Sequence, residues 1–286
     1  MLSFFHFFSS TILESIPFLL LGATLSTVVE KWIPSDWFVK HAPSKSWISG
    51  LLGLFLGCIL PTCECGSILI VRKLIAKKAP IPFALNYMLA GVVVNPIVIL
   101  STWTAFPGKP QIVIFRLLIS MITALVTTFV ISRYVPATAI FPKRQRIELQ
   151  LPCCAAKDSF ASTVLHEFFS IFALLSLGVF LSGLARVFMP NAAWLFLRDH
   201  SVLAIPLLEI YAFILSICSE TDAFIAASFV GLPSGAILAF LCLGPVLDLK
   251  LLLLYRATFS IRVLRILLIV PPLTVWLLCS AGEMWL

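Results

Sequence analysis

Apolar residues follow one another in long continuous runs, without the two-residue alternation of a half-buried strand, and short polar segments separate them. The runs fall at about 8–29, 47–71, 81–105, 111–135, 160–185, 203–230, 234–255 and 262–282. Most are near the ~20 residues that cross a hydrocarbon layer of roughly 30 Å as a helix rising ~1.5 Å per residue. The pattern predicts an all-α, polytopic membrane protein.

Two runs are interrupted by polar residues. Leu60-Pro61-Thr62-Cys63-Glu64-Cys65-Gly66-Ser67 breaks the second, and Cys218-Ser219-Glu220-Thr221-Asp222 breaks the sixth. Non-helical backbone at membrane depth leaves N–H and C=O groups without water, so both breaks are expected inside the bundle or along a wet cavity. Pro61 stops the first half-helix by removing a donor, Gly66 allows tight backbone, and the next half-helix is expected to start near Ser67. At the other break, Ser219 or Thr221 is expected to cap the following half-helix, with Glu220 and Asp222 placing charge in its first turn.

The signposts recur along the chain. Glu14 to Glu167, Gly91 to Gly244 and Asn95 to Asp248 are each 153 residues apart, and Glu64 to Glu220 are 156 apart. Between the two sets lies the longest hydrophilic stretch, with Arg133, Lys143, Arg144, Arg146 and Lys157. The order predicts a first membrane repeat over 1–135, a basic cytoplasmic linker over 136–159 and a second repeat over 160–286.

Charge decides between two topologies. If all eight runs cross, the loop Lys and Arg divide nine against nine, contrary to the positive-inside rule. If the two broken runs enter and return as hairpins, the division is 15 against three, with Lys109, Arg186 and Arg198 outside. The preferred fold is therefore two inverted repeats, each of three transmembrane helices plus one broken or re-entrant helix. Eight plain transmembrane helices are the alternative. Arg116 and Lys250 fall near or within spans and are set aside in this count.

The 286 residues are 60% apolar and 12% charged, with mean hydropathy +1.08, which excludes a water-soluble domain. The net charge of +7 sits in short segments between apolar runs, so it marks topology and anionic headgroups and not nucleic acid. The amino terminus has no Lys/Arg region before its apolar run, and that run is expected to stay as a span.

Ionisable residues at membrane depth are costly and are functional candidates by default. The substrate-binding candidates are Glu64, Glu220, Asp222, Asn95, Asp248 and Ser219, with Glu14 and Glu167 divided between this role and helix capping. Lys250 either pairs with Asp248 or snorkels away. Cys63, Cys65 and Glu64 offer two thiolates and a carboxylate to a thiophilic metal or metalloid; the other reading of the two cysteines is small residues packed at a bend. No zinc-protease, P-loop, dinucleotide or nucleophile-elbow pattern is present, and no resident cofactor or enzymatic role is expected.

The Leu60–Ser67 stretch, the Gly91–Pro96 run ending in Asn-Pro, Ser219-Glu220-Thr221-Asp222-Ala223-Phe224 and Gly244-Pro245-Val246-Leu247-Asp248 together resemble the bacterial predicted-permease family that includes ArsP-like organoarsenical efflux permeases. The resemblance spans nearly the whole chain. It implies a multi-pass permease of the bacterial inner membrane, some of whose relatives export trivalent organoarsenicals. This chain has Cys-Glu-Cys where other branches look more like Cys-Ser-Cys, so a metal cation or another small thiophile is an equal candidate. The leading reading is alternating-access transport of such a solute, with an accessory membrane protein or a second copy of the chain as partner. The alternatives are a membrane thiol oxidoreductase using Cys63 and Cys65, and a non-transporting subunit of a larger complex.

Overall fold

The computed structural model describes residues 2–32, 46–59, 62–136, 139–141, 160–187, 201–229 and 231–282. Leu60 and Pro61, most of the expected linker with Cys153 and Cys154, and the Glu14 side chain lie outside the described residues. The described elements are α1 (Leu2–Trp32), α2 (Ser46–Ile59), α3 (Glu64–Ala76), α4 (Ile81–Asn86), α5 (Pro96–Ala105), α6 (Pro110–Tyr134), α7 (Phe160–Val187), α8 (Ser201–Leu215), α9 (Asp222–Ala227), α10 (Ser234–Leu243), α11 (Leu249–Thr258) and α12 (Ile261–Gly282). No strand occurs among the described residues.

Among the described residues, five stretches are long and apolar enough to cross a membrane: Ser9–Trp32, Ile81–Ala105, Pro110–Tyr134, Phe160–Leu181 and Ile261–Gly282. The runs at 47–71, 203–230 and 234–255 each divide into two shorter helices. Eight uninterrupted spans therefore do not form. The run at 234–255 reads as unbroken in the sequence, yet α10 and α11 are separate helices. Asp248 takes extended backbone (φ −141°, ψ 176°) and restarts the helix with its own carboxylate. The Ile81–Ala105 stretch also changes form, passing from α4 through a wide turn at Tyr87–Gly91 before Asn95-Pro96 opens α5.

Glycines set which helices lie side by side and in which direction. A Cβ built on Gly50 would meet Asn86 and Pro82, one on Gly53 would meet Phe83, and one on Gly57 would lie 2.0 Å from the Gly91 carbonyl oxygen. Rising numbers on α2 face rising numbers on α4 and its turn, so the two run in the same direction. In the same way, Gly22 packs on Gly66, while Glu30 meets Lys73 and Lys77 further along, so α1 and α3 also run in the same direction. Close approach of this kind replaces the hydrophobic drive that membrane helices lack.

The second half has a related register. The Tyr211 ring on α8 lies 6.2 Å from that of Phe240 on α10, and Ser216 beyond α8 accepts from Leu249 N at the start of α11. The end of α11 returns to the chain beyond α6, where Ser260 N donates to the Ile140 carbonyl at 2.8 Å and Phe259 stacks on Phe141. Two apolar clusters result. One gathers α1, α2, α3, α4, α7, α11 and the ends of α6 and α12 that meet them; the other gathers α8, α9, α10 and the opposite ends of α6 and α12. The polar breaks lie where these clusters meet.

Candidate functional site

Each break starts a helix, and the way each start is capped positions the polar groups. Cys63 is the N-cap of α3, and its Sγ accepts from Gly66 N at 3.3 Å, so the helix begins at Glu64 and not near Ser67. Asn95 caps α5 through Oδ1, accepting from Ile97 N at 3.0 Å, with Pro96 in the first turn where a missing N–H costs nothing. Asp248 caps α11 through Oδ1, accepting from Leu251 N at 2.6 Å. The expected capping by Ser219 or Thr221 is not what forms. Thr221 stands at the N-cap of α9, but its hydroxyl donates back to the Cys218 carbonyl and Ser219 Oγ has no partner among the described residues.

Glu64 crosses from one break to the other. Its Oε1 accepts from Ser219 N at 2.8 Å, joining positions 155 residues apart. Its Oε2 lies 3.5 Å from Lys250 Nζ, which is also 3.2 Å from Asp248 Oδ2. The same ammonium faces the Ser216 carbonyl at 3.4 Å and Cys218 Sγ at 3.6 Å. Ser216 holds that carbonyl in place from left-handed backbone (φ +48°), a conformation that costs a non-glycine residue about 1–3 kcal/mol.

On the other side of the Ser219 peptide sits a second ion cluster. Arg116 NH2 is 2.7 Å from Asp222 Oδ2 and 3.4 Å from the Ser219 carbonyl, and NH1 donates to Thr102 Oγ1 at 2.7 Å. Arg116 is 1% exposed and Lys250 0%. Glu220 is 8% exposed, and neither of its carboxylate oxygens has a hydrogen-bond partner among the described residues. It lies within electrostatic reach of Glu64, Lys250 and Asp222.

The structure thus brings Glu64, Ser219, Asp222 and Asp248 into one connected polar junction. Asn95 is buried and holds the start of α5, with its amide Nδ2 unpartnered among the described residues. Glu167 lies elsewhere, 2.9 Å from Lys73, which also binds Glu30 at 2.6 Å. Cys63, Cys65 and Cys218 are buried free thiols. Among the described residues no group of three or more His, Cys, Asp and Glu side chains is arranged to hold a metal ion, so Cys63, Glu64 and Cys65 are not a preformed metal centre.

Arg116, Lys250, Thr102 and Ser216 were not singled out by sequence reasoning as site residues. The signal for the first two was available, since a basic residue within an apolar run is a functional candidate on the same ground as an acidic one. Ser216 had none, because its role comes from backbone geometry.

Helices that stop and restart around buried charges in an apolar bundle recur in membrane transport proteins, since broken backbone at that depth is tolerated only when buried in protein or lining a wet cavity. The chain belongs to the family described as predicted permease, whose model matches residues 1–280. It is 29% identical over 265 residues to the UPF0718 protein YcgR of Bacillus subtilis (strain 168), covering 91% of this chain and 90% of that protein. It is 30% identical over 260 residues to a Streptococcus mutans protein named as a candidate subunit of a two-component membrane permease complex, covering 89% and 86% of the two chains. No solved structure matches.

Proposed function

We infer that this permease moves a small thiophilic metal or metalloid species by alternating access through the junction of its broken helices. The observation that carries this reading is a charge imbalance. Among the described residues, Glu64, Glu220, Asp222 and Asp248 share two basic partners, Arg116 and Lys250, and neither Glu220 oxygen has a hydrogen-bond partner. Buried charge without compensation is costly, so such a junction favours an arriving cation. Glu64, Glu220, Asp222, Asp248, Asn95 and Ser219 form the polar side of the path in this reading, and Cys63 and Cys65 supply soft donors to the passing cargo.

The same reading makes the two halves inverted repeats. The shared direction of α2 and α4 supports a return of α3 to the face from which α2 entered, which is a hairpin. The shared direction of α1 and α3 supports it independently, as does the register of α8 with α10 and α11. With three crossings in each half, the second half is upside down relative to the first, and the 15-to-three charge division puts the basic face in the cytoplasm of a bacterial inner membrane.

The test is growth of deletion and overproducing strains across metal salts and trivalent organoarsenicals. The expected outcome is altered tolerance to one thiophile, abolished by Glu220→Gln at unchanged membrane level. No altered tolerance to any of them refutes a thiophilic cargo. Cysteine-accessibility labelling of 72–80 and 31–47 from a single face supports the hairpin; labelling from opposite faces removes it. The Streptococcus relative's description supports a second reading, in which the chain works as one subunit of a permease complex. Purified protein that moves nothing in liposomes until a co-expressed partner is added would favour that reading.

A further inference from the structure

The cage around Lys250 Nζ holds more acceptors than one ammonium can satisfy. Glu64 Oε2, Asp248 Oδ2 and the Ser216 carbonyl lie 3.2–3.5 Å away, beyond the ~2.7–2.9 Å of a well-made charged hydrogen bond to oxygen, and Cys218 Sγ lies at 3.6 Å. Glu64 Oε2 and Asp248 Oδ2 have no hydrogen bond among the described residues. Each carboxylate is anchored through its other oxygen, to Ser219 N at 2.8 Å and Leu251 N at 2.6 Å, so each presents to Lys250, from a fixed position, one oxygen that the ammonium pairs at 3.5 and 3.2 Å without a hydrogen bond. Three hard oxygens, two of them charged, converge on a loosely held cation.

We propose that this cage is a coupling-ion site for a small alkali cation, and that Lys250 is its tethered occupant in the empty state. Hard oxygen donors suit such a cation. When the cation enters, Lys250 moves off Glu64 and Asp248 toward Glu220, the buried carboxylate within its electrostatic reach whose oxygens have no hydrogen bond among the described residues. The junction then has one fewer uncompensated negative charge than before. Lysine suits this exchange because its charge is a compact point on a flexible stem, whereas a guanidinium would lock onto the carboxylates in pairs. The inference rests on the transport reading and supplies a driving ion for it.

The experiment is thermal unfolding of the purified full chain in detergent, with sodium chloride replaced stepwise by choline chloride at constant ionic strength and potassium chloride as a second series. Saturable stabilisation by sodium or potassium over choline is expected. Lys250→Met, which removes the internal competitor, lowers the half-maximal cation concentration at least tenfold, and Lys250→Arg raises it at least tenfold. Asp248→Asn, which keeps an acceptor for Leu251 N, abolishes the effect. A Lys250→Met protein recovered only in alkali salt also supports the site. If it is recovered in neither salt, wild type and Lys250→Arg decide. Identical unfolding of wild type in all three salts, or equal cation dependence in the Met and Arg variants, overturns the proposal. Alkali stabilisation without flux of any cargo leaves the cation site standing and removes the transport reading, while cargo flux in alkali-free buffer does the reverse.

Discussion

Two buried basic residues stand near Ser219, Arg116 against its carbonyl and Lys250 beside the Glu64 carboxylate that accepts from the Ser219 N–H, and they are held differently. Arg116 makes short contacts of 2.7 Å to both Asp222 and Thr102, while Lys250 floats at 3.2–3.6 Å among four acceptors. The first arrangement joins α6, α5 and α9 by bonds that leave little to gain from rearrangement. The second has one charge shared between two carboxylates, and any competing cation finds oxygens already in place. Tight pairing at membrane depth stabilises one conformation; loose pairing leaves room for exchange.

The largest effect that can break this contrast comes from Arg116→Met. It leaves Asp222 buried without its partner, at a cost of about 3–5 kcal/mol. The double change Arg116→Met with Asp222→Leu replaces the pair by apolar groups and recovers most of that loss, as a double-mutant cycle by chemical unfolding in detergent measures. A single variant as stable as wild type would make the Arg116 pair as dispensable as the Lys250 cage is exchangeable.

Next in size is Gly57→Val. Its Cβ would lie 2.0 Å from the Gly91 carbonyl oxygen, and backbone has nowhere to yield, so a loss of at least about 1–3 kcal/mol is expected. Gly282→Ala, with no atom within 4 Å of the new Cβ, is the control and stays within about 0.5 kcal/mol of wild type. The comparison sharpens because Gly57 fixes the register of α2 on α4, which sets the depth of the Cys63 break relative to Tyr87. There Thr62 Oγ1 and Tyr87 Oη share a 2.7 Å hydrogen bond.

Asn95→Ala comes third, at about 1 kcal/mol for a lost helix cap. Asn95→Asp retains the cap and adds one more negative charge at a buried position where the Nδ2 it replaces had no partner among the described residues. Stability is therefore expected to fall further in the Asp variant than in the Ala variant, although Asp is the equal of Asn as a cap on exposed helices. Equal capping behaviour would show that water reaches this break.

Much of the architecture is legible because breaks in membrane helices need rare residues. Pro61 with Gly66, Asn95-Pro96 and Gly244-Pro245 with Asp248 stand out against apolar neighbours, and each lies beside a place where a helix stops or restarts. The helix count was harder to read: 234–255 looks continuous by hydropathy, yet one helix ends at Gly244 and the next starts from the Asp248 cap. The pairing of charges was least legible. Arg116 and Asp222 lie 106 residues apart, and hydropathy says that each is expensive without saying that they meet. The Lys250 cage depends on Ser216 holding a left-handed conformation, which a serine in an apolar run does not announce.

The smallest expected effect belongs to a third ionic cluster, away from the junction. Lys73 binds Glu30 and Glu167 at 2.6 and 2.9 Å, tying α3 to α1 and α7, and Lys77 donates to the Glu30 carbonyl. Its geometry is as short as that of the Arg116 pair, so distance alone would rank the two together. Exposure separates them, because the Lys73 side chain is 22% exposed and those of Glu30 and Glu167 32% and 9%, against 2% and 4% for Arg116 and Asp222. Water and salt reach Lys73 and the Glu30 side of the cluster though not the buried Glu167, and Lys73→Gln is expected to cost about 1 kcal/mol. Raising ionic strength toward 1 M, where the Debye length falls to about 3 Å, erases most of that difference, while the loss in Arg116→Met persists because ions do not reach the pair. Unfolding of both variants across a salt series therefore separates contact length from burial as the cause of the contrast. A Lys73→Gln loss that is large and insensitive to salt would place this cluster inside the barrier with the other two.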